Sequence, residues 1–190
     1  MFIEKIEFSA DLEKMRFDLY ELIKIIDWPD RQVINGKIIP ANQLGLTHRK
    51  DAAHPWVDAS GSLYDSESKT IISKESDFNC WNSLPSEYTK TMIELLSEKE
   101  KTKFGRIRYM RSMPKTGLTI HSDFEKRYHY VLETNADALF GERVDENELV
   151  AKCYHIPADG YFYKVDTTVP HFVYNGGWSP RVHLVICEAV

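Results

Sequence analysis

His121-Ser122-Asp123 ends a strand-like run with an imidazole and a carboxylate two residues apart. On an extended chain, positions 121 and 123 point to the same side, so the two groups can converge on one ion. His171 follows later, just after Val169-Pro170. Two imidazoles and one carboxylate form the facial donor set of non-haem iron(II) sites, which leaves coordination positions open for a bidentate keto acid and dioxygen. A surface His and Asp beside a turn would give the same local pattern, so the triad needs support from elsewhere in the chain.

Arg181 supplies that support. It opens Arg-Val-His-Leu-Val-Ile, which as a strand turns Arg181, His183 and Val185 one way and Val182, Leu184 and Ile186 the other. An inward Arg needs an anionic partner, because an unpaired buried charge is costly. A guanidinium suits a carboxylate bidentately, and the distal carboxylate of 2-oxoglutarate is such a partner. Arg127-Tyr128-His129 repeats the Arg-x-His arrangement just after the His-x-Asp motif, with Arg127 and His129 sharing a face. The alternative is that both belong to an outward polar face.

Such residues need a frame that brings distant strands together. From residue 104 onward the pattern is one of short strands, at 104–113, 118–122, 127–134, 149–156, 160–165, 169–175 and 181–188, separated by turn formers such as Pro114-Lys115-Thr116-Gly117 and Gly176-Gly177. Many short strands with regular turns read as a sandwich or barrel. Before them, Phe2 to Phe8 alternates as a strand, and residues 10–27 switch to helical period with Leu12, Met15, Leu19, Leu22, Ile23 and Ile26 on one face. Trp28-Pro29-Asp30 ends that helix. A second helix follows Pro85, with Tyr88, Met92, Leu95 and Leu96 on one face. Residues 29–83 are irregular, with short strand-like pieces at Val33-Ile34 and 70–72. Their stretch from His48 to Ser62 reads equally as a lid or a surface connection. The expected organisation is one domain, 1–190, in which a helical and irregular part (1–103) packs on a β core (104–190).

Composition narrows the functional classes. A net charge of −5 and the lack of a long Lys/Arg cluster argue against binding nucleic acid by massed phosphate neutralisation. Three widely spaced cysteines, Cys80, Cys153 and Cys187, form no CxxC pair and read as free thiols in a reducing compartment. No apolar run approaches membrane-spanning length, and residues 1–11 lack a signal peptide's apolar core, so a cytoplasmic protein is expected. Oligomeric state cannot be read from the sequence.

In combination, the motifs identify a resemblance. Residues 105–190 resemble the catalytic core of the aspartyl/asparaginyl β-hydroxylase-like branch of 2-oxoglutarate oxygenases, a branch that includes free-proline hydroxylases. The matching motifs are His121-Ser122-Asp123, Arg127-Tyr128-His129, Val165-Asp166-Thr167 leading to Pro170-His171, Asn175, and Arg181-Val182-His183-Leu184. The resemblance implies a mainly β protein with flanking helices and a double-stranded β-helix (cupin or jelly-roll) core. It implies Fe(II) held by His121, Asp123 and His171, with 2-oxoglutarate and O2 as cosubstrates. It suggests Arg181 on the distal carboxylate of 2-oxoglutarate, and Arg127 and His129 near the cosubstrate, with His129 able to donate to its metal-bound end. The implied reaction is hydroxylation of an unactivated C–H of an amino acid, peptide side chain or related small molecule, with succinate and CO2 as co-products. Several members of the branch carry Gly in place of the carboxylate ligand. Asp123 therefore places this chain nearer the small-molecule or prokaryotic-type members.

The competing readings are a non-catalytic cupin-type binding module, against which the presence of all three ligands and both Arg-x-His pairs argues, and a cupin enzyme that uses no keto acid, from which Arg181, ten residues after His171, discriminates. Of the remaining residues, Thr167, Tyr128 and Tyr163 are candidates to orient the ligands. Gln43, His48, Arg49 and Trp56 are candidates to touch substrate from the irregular segment, and His48 and His54 lack a compactly spaced third ligand. His155 reads as a satisfied structural His, Cys153 and Cys187 as buried strand residues, and Trp178 as a loop anchor.

Overall fold

The computed structural model describes residues 2–28, 32–34, 37–39, 42–65, 67–83, 86–145 and 151–189. In its first part the chain forms β1 (Ile3–Ser9), α1 (Leu12–Ile26), β2 (Gln32–Ile34), β3 (Lys37–Ile39), β4 (Gln43–Gly45), β5 (Thr47–His48), α2 (Pro55–Asp58), β6 (Tyr64–Asp65), β7 (Thr70–Ile71), β8 (Cys80–Trp81) and α3 (Glu87–Glu100). Strands follow: β9 (Phe104–Ser112), β10 (Thr116–His121), β11 (Arg127–Glu133), β12 (Ala138–Arg143), β13 (Ala151–Tyr154), β14 (Tyr161–Val165), β15 (His171–Asn175) and β16 (Arg181–Glu188). The described residues cluster into two units.

The first unit comprises residues 1–12 and 111–184. One of its sheets has the order β1-β14-β11-β16, and the other is β10-β15-β12-β13. Strand β14 pairs antiparallel with β1 and β11, β15 with β10 and β12, and β12 with β13. After β10 the chain passes to the other sheet for β11, returns for β12 and β13, crosses for β14, returns for β15 and crosses again for β16. This winding between two sheets is the double-stranded β-helix of the cupin fold. Apolar residues from both sheets meet in one core: Val131, Tyr163 and Val165 from β11 and β14, Phe140 and Val173 from β12 and β15, with Phe2 and Ile156. Those in strands are on the inward side by the two-residue period of the pleat. The N-terminal strand belongs here, with Ile3 opposite Val165.

The second unit comprises residues 13–110 and 185–190. Helix α1 buries Met15, Leu19 and Leu22, three of the residues on its expected face. Its Asp18 accepts hydrogen bonds from the Ser86 hydroxyl and from the backbone N–H (3.2 Å) and hydroxyl (2.5 Å) of Thr89, at the start of α3. The buried face of α3 is Thr89, Ile93 and Leu96; of the expected face Leu96 is buried, Tyr88 and Met92 are half-buried and Leu95 is 41% exposed. Strand β9 pairs with β4, and turns Arg106 and Arg108 inward. Arg106 is paired with Glu75 at 2.8 Å, and Arg108 donates to the Ala59 carbonyl at 2.7 Å. Gly105 lets the chain pass close to the Glu75 backbone: a Cβ there would lie 1.9 Å from that carbonyl oxygen.

Most of the expected elements are present, at slightly shifted bounds. Strand β12 is the element missing from the sequence reading: Ala-Leu-Phe-Gly-Glu-Arg contains no β-branched residue and has a central Gly. The irregular segment contains short hairpins and α2. Of the expected strand 149–156, residues 151–156 are described, and Ala151–Tyr154 of these form β13. Pro29, Asp30 and Pro85, expected at helix ends, lie outside the described residues. Two expectations are corrected. Cys153 is exposed, because β13 lies at the edge of its sheet, whereas Cys187 is buried as expected. Trp178 anchors nothing: it is 85% exposed, with the Lys115 ammonium 4.2 Å from its ring centre.

Candidate metal centre

His121 is the last residue of β10 and His171 the first of β15, and they stand directly opposite each other. The register between these strands slips: Leu118 faces Val173 and His121 faces His171, three steps on one strand against two on the other. This bulge re-aims the end of β10, so that His121 turns to the same side as His171. The two rings lie 4.4 Å apart between centres. Asp123 sits just past the strand, where its N–H donates to the Thr167 carbonyl at 2.8 Å. The Thr167 hydroxyl in turn donates to the Glu125 carbonyl at 2.6 Å, which ties both sides of the turn together. One donor atom from each of His121, Asp123 and His171 lies within 4.8 Å of the others. Among the described residues no other set of three His, Cys or acidic side chains meets in this way.

The donors are oriented for a cation. Each His ring uses Nδ1 on a backbone carbonyl two residues upstream: His121 on Thr119 at 2.7 Å and His171 on Val169 at 3.0 Å. With the proton on Nδ1, each Nε2 is left as a lone-pair donor. Asp123 Oδ1 accepts from Arg127 Nη2 at 2.5 Å. Its Oδ2, 3.6 Å from His171 Nε2, is buried and has no hydrogen-bond partner. A buried carboxylate oxygen without a donor is costly unless a cation binds there. Burial pushes the His171 imidazole below the usual His range, so it is neutral near pH 7 and free to ligate. The residues therefore fit a divalent metal with two imidazoles and one monodentate carboxylate.

A second cluster lies around the Phe140 ring, which β12 points inward. The ring centres of His129, His171 and His183 are 5.0, 6.4 and 6.5 Å from it, and the Arg181 guanidinium carbon 5.1 Å. Arg181 is 5% exposed, and no carboxylate among the described residues pairs with it. Its nearest polar contact is His183 Nδ1 at 3.1 Å, with Arg181 the donor. His183 Nδ1 is therefore an acceptor, and the 3.3 Å contact from His129 Nδ1 requires the proton on His129. Burial, then the Arg181 charge, holds His183 well below the ordinary imidazole range. Burial alone lowers Arg181 from its ordinary value to about 9. A buried guanidinium among aromatic rings and neutral imidazoles is a site for an anion.

All six residues singled out by their motifs belong to the first unit, and all six turn toward its interior. Arg127 meets the carboxylate of Asp123; His129 and Arg181 meet Phe140. Thr167 ties the turn that carries Asp123, whereas Tyr163 directs its hydroxyl to Asp159 at 2.8 Å. Asn175 is fully buried and holds the end of β15: it donates to the carbonyls of Ser112, Met113 and Ser179 and accepts from Asn135 and the Gly177 N–H. Phe140 was invisible in the sequence because its strand was; only the Ala138, Phe140 alternation hinted at it. In the second unit, residues 49–58, 60, 62–63, 72–73 and 77–79 line a cavity of about 1360 Å³ that includes His54, Trp56 and Asp58. Arg49 is committed there to Asp58, and His48 Nδ1 to the Arg49 carbonyl. His155 donates from Nδ1 to the Ala138 carbonyl at 3.1 Å, a satisfied histidine.

Comparison with known proteins gives a family and a fold. Residues 49–187 match the family described as Aspartyl/Asparaginyl beta-hydroxylase. No curated protein matches the sequence. Among solved structures, AviO1 from Streptomyces viridochromogenes Tue57 is similar over 99% of this chain and 89% of its own, at 9% identity and a TM-score of 0.54, which speaks to the fold alone. A protein of the 2OG-Fe(II) oxygenase family from Burkholderia pseudomallei aligns with 55% of this chain at 15% identity and a TM-score of 0.44; the chain spans 59% of that protein's length. A cupin domain from Bordetella pertussis Tohama I aligns with 46% of this chain and 84% of its own, at 15% identity and a TM-score of 0.38.

Proposed function

The chain belongs to the aspartyl/asparaginyl β-hydroxylase family, and from that premise we propose that it is an iron(II)- and 2-oxoglutarate-dependent oxygenase that hydroxylates a C–H bond of an amino acid, peptide side chain or related small molecule. One observation carries this reading. The inward Phe140 ring lies against both His171, one of three donors that meet beside an unpartnered carboxylate oxygen, and a buried, carboxylate-free guanidinium. A dicarboxylic keto acid supplies what the two lack: a chelating end for the metal and an anionic end for Arg181.

His121, Asp123 and His171 would hold the metal. When bound together, iron(II) and 2-oxoglutarate supply oxidative decarboxylation with dioxygen, giving succinate, carbon dioxide and an oxidant strong enough for an unactivated C–H bond. The chain's own residues do the rest. Arg127 fixes Asp123 through Oδ1, which keeps Oδ2 toward the centre. Arg181 pairs with the distal carboxylate and sets the reach of the keto acid. His129, its Nδ1 proton committed to His183, presents Nε2 on its other side. Phe140 keeps water from the space between, which strengthens every charge interaction there.

The test is conversion of 2-oxoglutarate to succinate with iron(II) and ascorbate. His121→Ala and Asp123→Ala should each abolish it. Turnover persisting at the unsubstituted rate in either variant would remove the assignment. Binding of 2-oxoglutarate without any turnover would favour a non-catalytic cupin module.

A further inference from the structure

Directly opposed residues run across one sheet from the candidate centre to its exposed edge. In the order β10-β15-β12-β13, His121 stands opposite His171, His171 opposite Glu142, and Glu142 opposite Lys152. Directly opposed residues of an antiparallel pair have Cβ atoms roughly 4.5–5.5 Å apart. Glu142 is thus the immediate neighbour of His171 on the far side from His121. Its face is fixed by the pleat: Phe140, two residues earlier, is buried against His129, His171 and His183. Gly141, between them, faces the other way, where the Phe172 ring lies.

Glu142 is half-buried, and its Oε2 accepts a hydrogen bond from the Tyr154 hydroxyl at 3.0 Å. Tyr154 packs against Phe2, with ring centres 5.6 Å apart. Burial, then the hydrogen bond and charge of Glu142, raise the Tyr154 phenol above its ordinary value and keep it a donor. Among the described residues no cation pairs with Glu142; Lys152 is exposed and forms no ion pair with it. The other charges of the site have assigned partners. Arg127 and the metal answer Asp123, and the distal carboxylate of the keto acid answers Arg181. Glu142 remains as an anion beside the centre with only a neutral hydroxyl on one of its oxygens. The group that completes it is a cation that can sit within reach of the reacting carbon.

Resting on the oxygenase reading above, we propose that Glu142 is the residue that selects the substrate, and that the molecule oxidised presents a protonated amine to its carboxylate. Tyr154 orients that carboxylate through Oε2 and leaves Oε1 for the ammonium. The charge-assisted hydrogen bond fixes one end of the substrate, so that a C–H bond close to the amine faces the metal. The substrate class is a free amino acid or other small amine with an unblocked amino group.

The test measures, by calorimetry, the binding of free amino acids and small primary amines, and of their N-acetyl derivatives, to protein loaded anaerobically with iron(II) and 2-oxoglutarate. At least one free amine should bind, with its N-acetyl form weaker by about tenfold or more, the scale of one lost charge-assisted hydrogen bond. Glu142→Gln should erase that preference by weakening the amine alone. Tyr154→Phe, which leaves the carboxylate in place but unoriented, should weaken the amine by a smaller factor and serves if the first variant does not fold. Binding of 2-oxoglutarate in the same titrations separates the two claims. If the unsubstituted protein binds none, the oxygenase reading fails, and this one with it. If 2-oxoglutarate binds but free and acetylated forms bind alike, no amine binds, or Glu142→Gln keeps the preference, only the role of Glu142 fails.

Discussion

Arg181 shows how a single residue can be costly to the fold and, in the proposed function, necessary to the site. It is buried, and burial lowers its pKa to about 9. A base whose folded pKa lies below its unfolded value costs stability near neutral pH, and that cost fades as pH rises through the folded pKa. The ligand-free protein should therefore gain stability as pH climbs through about 9, while 2-oxoglutarate affinity, which needs the charge, is full below that point and falls above it. Calorimetric titrations between neutral and alkaline pH check both slopes. Arg181→Met should raise the unfolding free energy of the ligand-free protein by about 1–3 kcal/mol, because a charge without a counter-ion has been removed. The same change should weaken 2-oxoglutarate by about two orders of magnitude, the scale of a lost bidentate ion pair. Unchanged 2-oxoglutarate affinity in this variant would mean the keto acid binds elsewhere. That three donors meet and that Arg181 is buried near them was legible in the sequence from residue type and spacing. The places of Phe140 and Glu142 were not: each depends on the strand that lies beside it.

At the level of elements, the strands that carry the site are held by side chains remote from it. Asn175 uses its amide to join the ends of β9 and β15 to the turn before β16. Asn175→Ala leaves several buried backbone groups without partners, and should cost about 2–4 kcal/mol in denaturant unfolding. Because β16 starts with Arg181, the same variant should raise KM for 2-oxoglutarate more than it lowers kcat. Gly105→Ala drives a Cβ into the Glu75 backbone and should destabilise by several kcal/mol, about the upper range for a point change; a wild-type melting curve would refute the close approach. Strands with branched and aromatic residues were legible from their alternation. Strand β12 was not, since Ala-Leu-Phe-Gly-Glu-Arg has weak strand propensity and its pairing is what makes it a strand. The buried face of α3 is rotated from the expected one, of which it keeps Leu96, for a related reason. Asp18 on α1 draws the N–H and hydroxyl of Thr89 inward and turns the helix away from its most apolar line.

For the whole molecule, the linear order of the chain hides which parts belong together. The sequence suggests a β core beginning near residue 104, yet β1 at the N-terminus pairs with β14 and joins the unit that holds the candidate centre. No local pattern announces a partner so distant in sequence. Strand β16 serves both units, Arg181–Leu184 in the first and Val185–Glu188 in the second. No helix among the described residues is long and apolar enough to cross a membrane. Ligands that bind only the folded chain raise its stability by mass action: at about 100 times Kd, by about 2.7 kcal/mol. Manganese(II) and 2-oxoglutarate together should thus raise the Tm by several degrees, and Asp123→Ala should lose that shift even though it folds. A shift that survives in Asp123→Ala would place the metal elsewhere.

The two histidines of the candidate centre are tied by Nδ1 to carbonyls two residues upstream, so the donor set is rigid before any metal arrives. Rigidity of this kind sets geometry but not elemental preference. Imidazole and carboxylate donors bind cobalt, nickel and copper more tightly than ferrous ion, following the Irving–Williams order. Occupancy is then decided by which ions surround the protein as it folds, and by which it meets during handling. Protein recovered over immobilised nickel should carry that ion and stay silent until it is stripped and reloaded without oxygen.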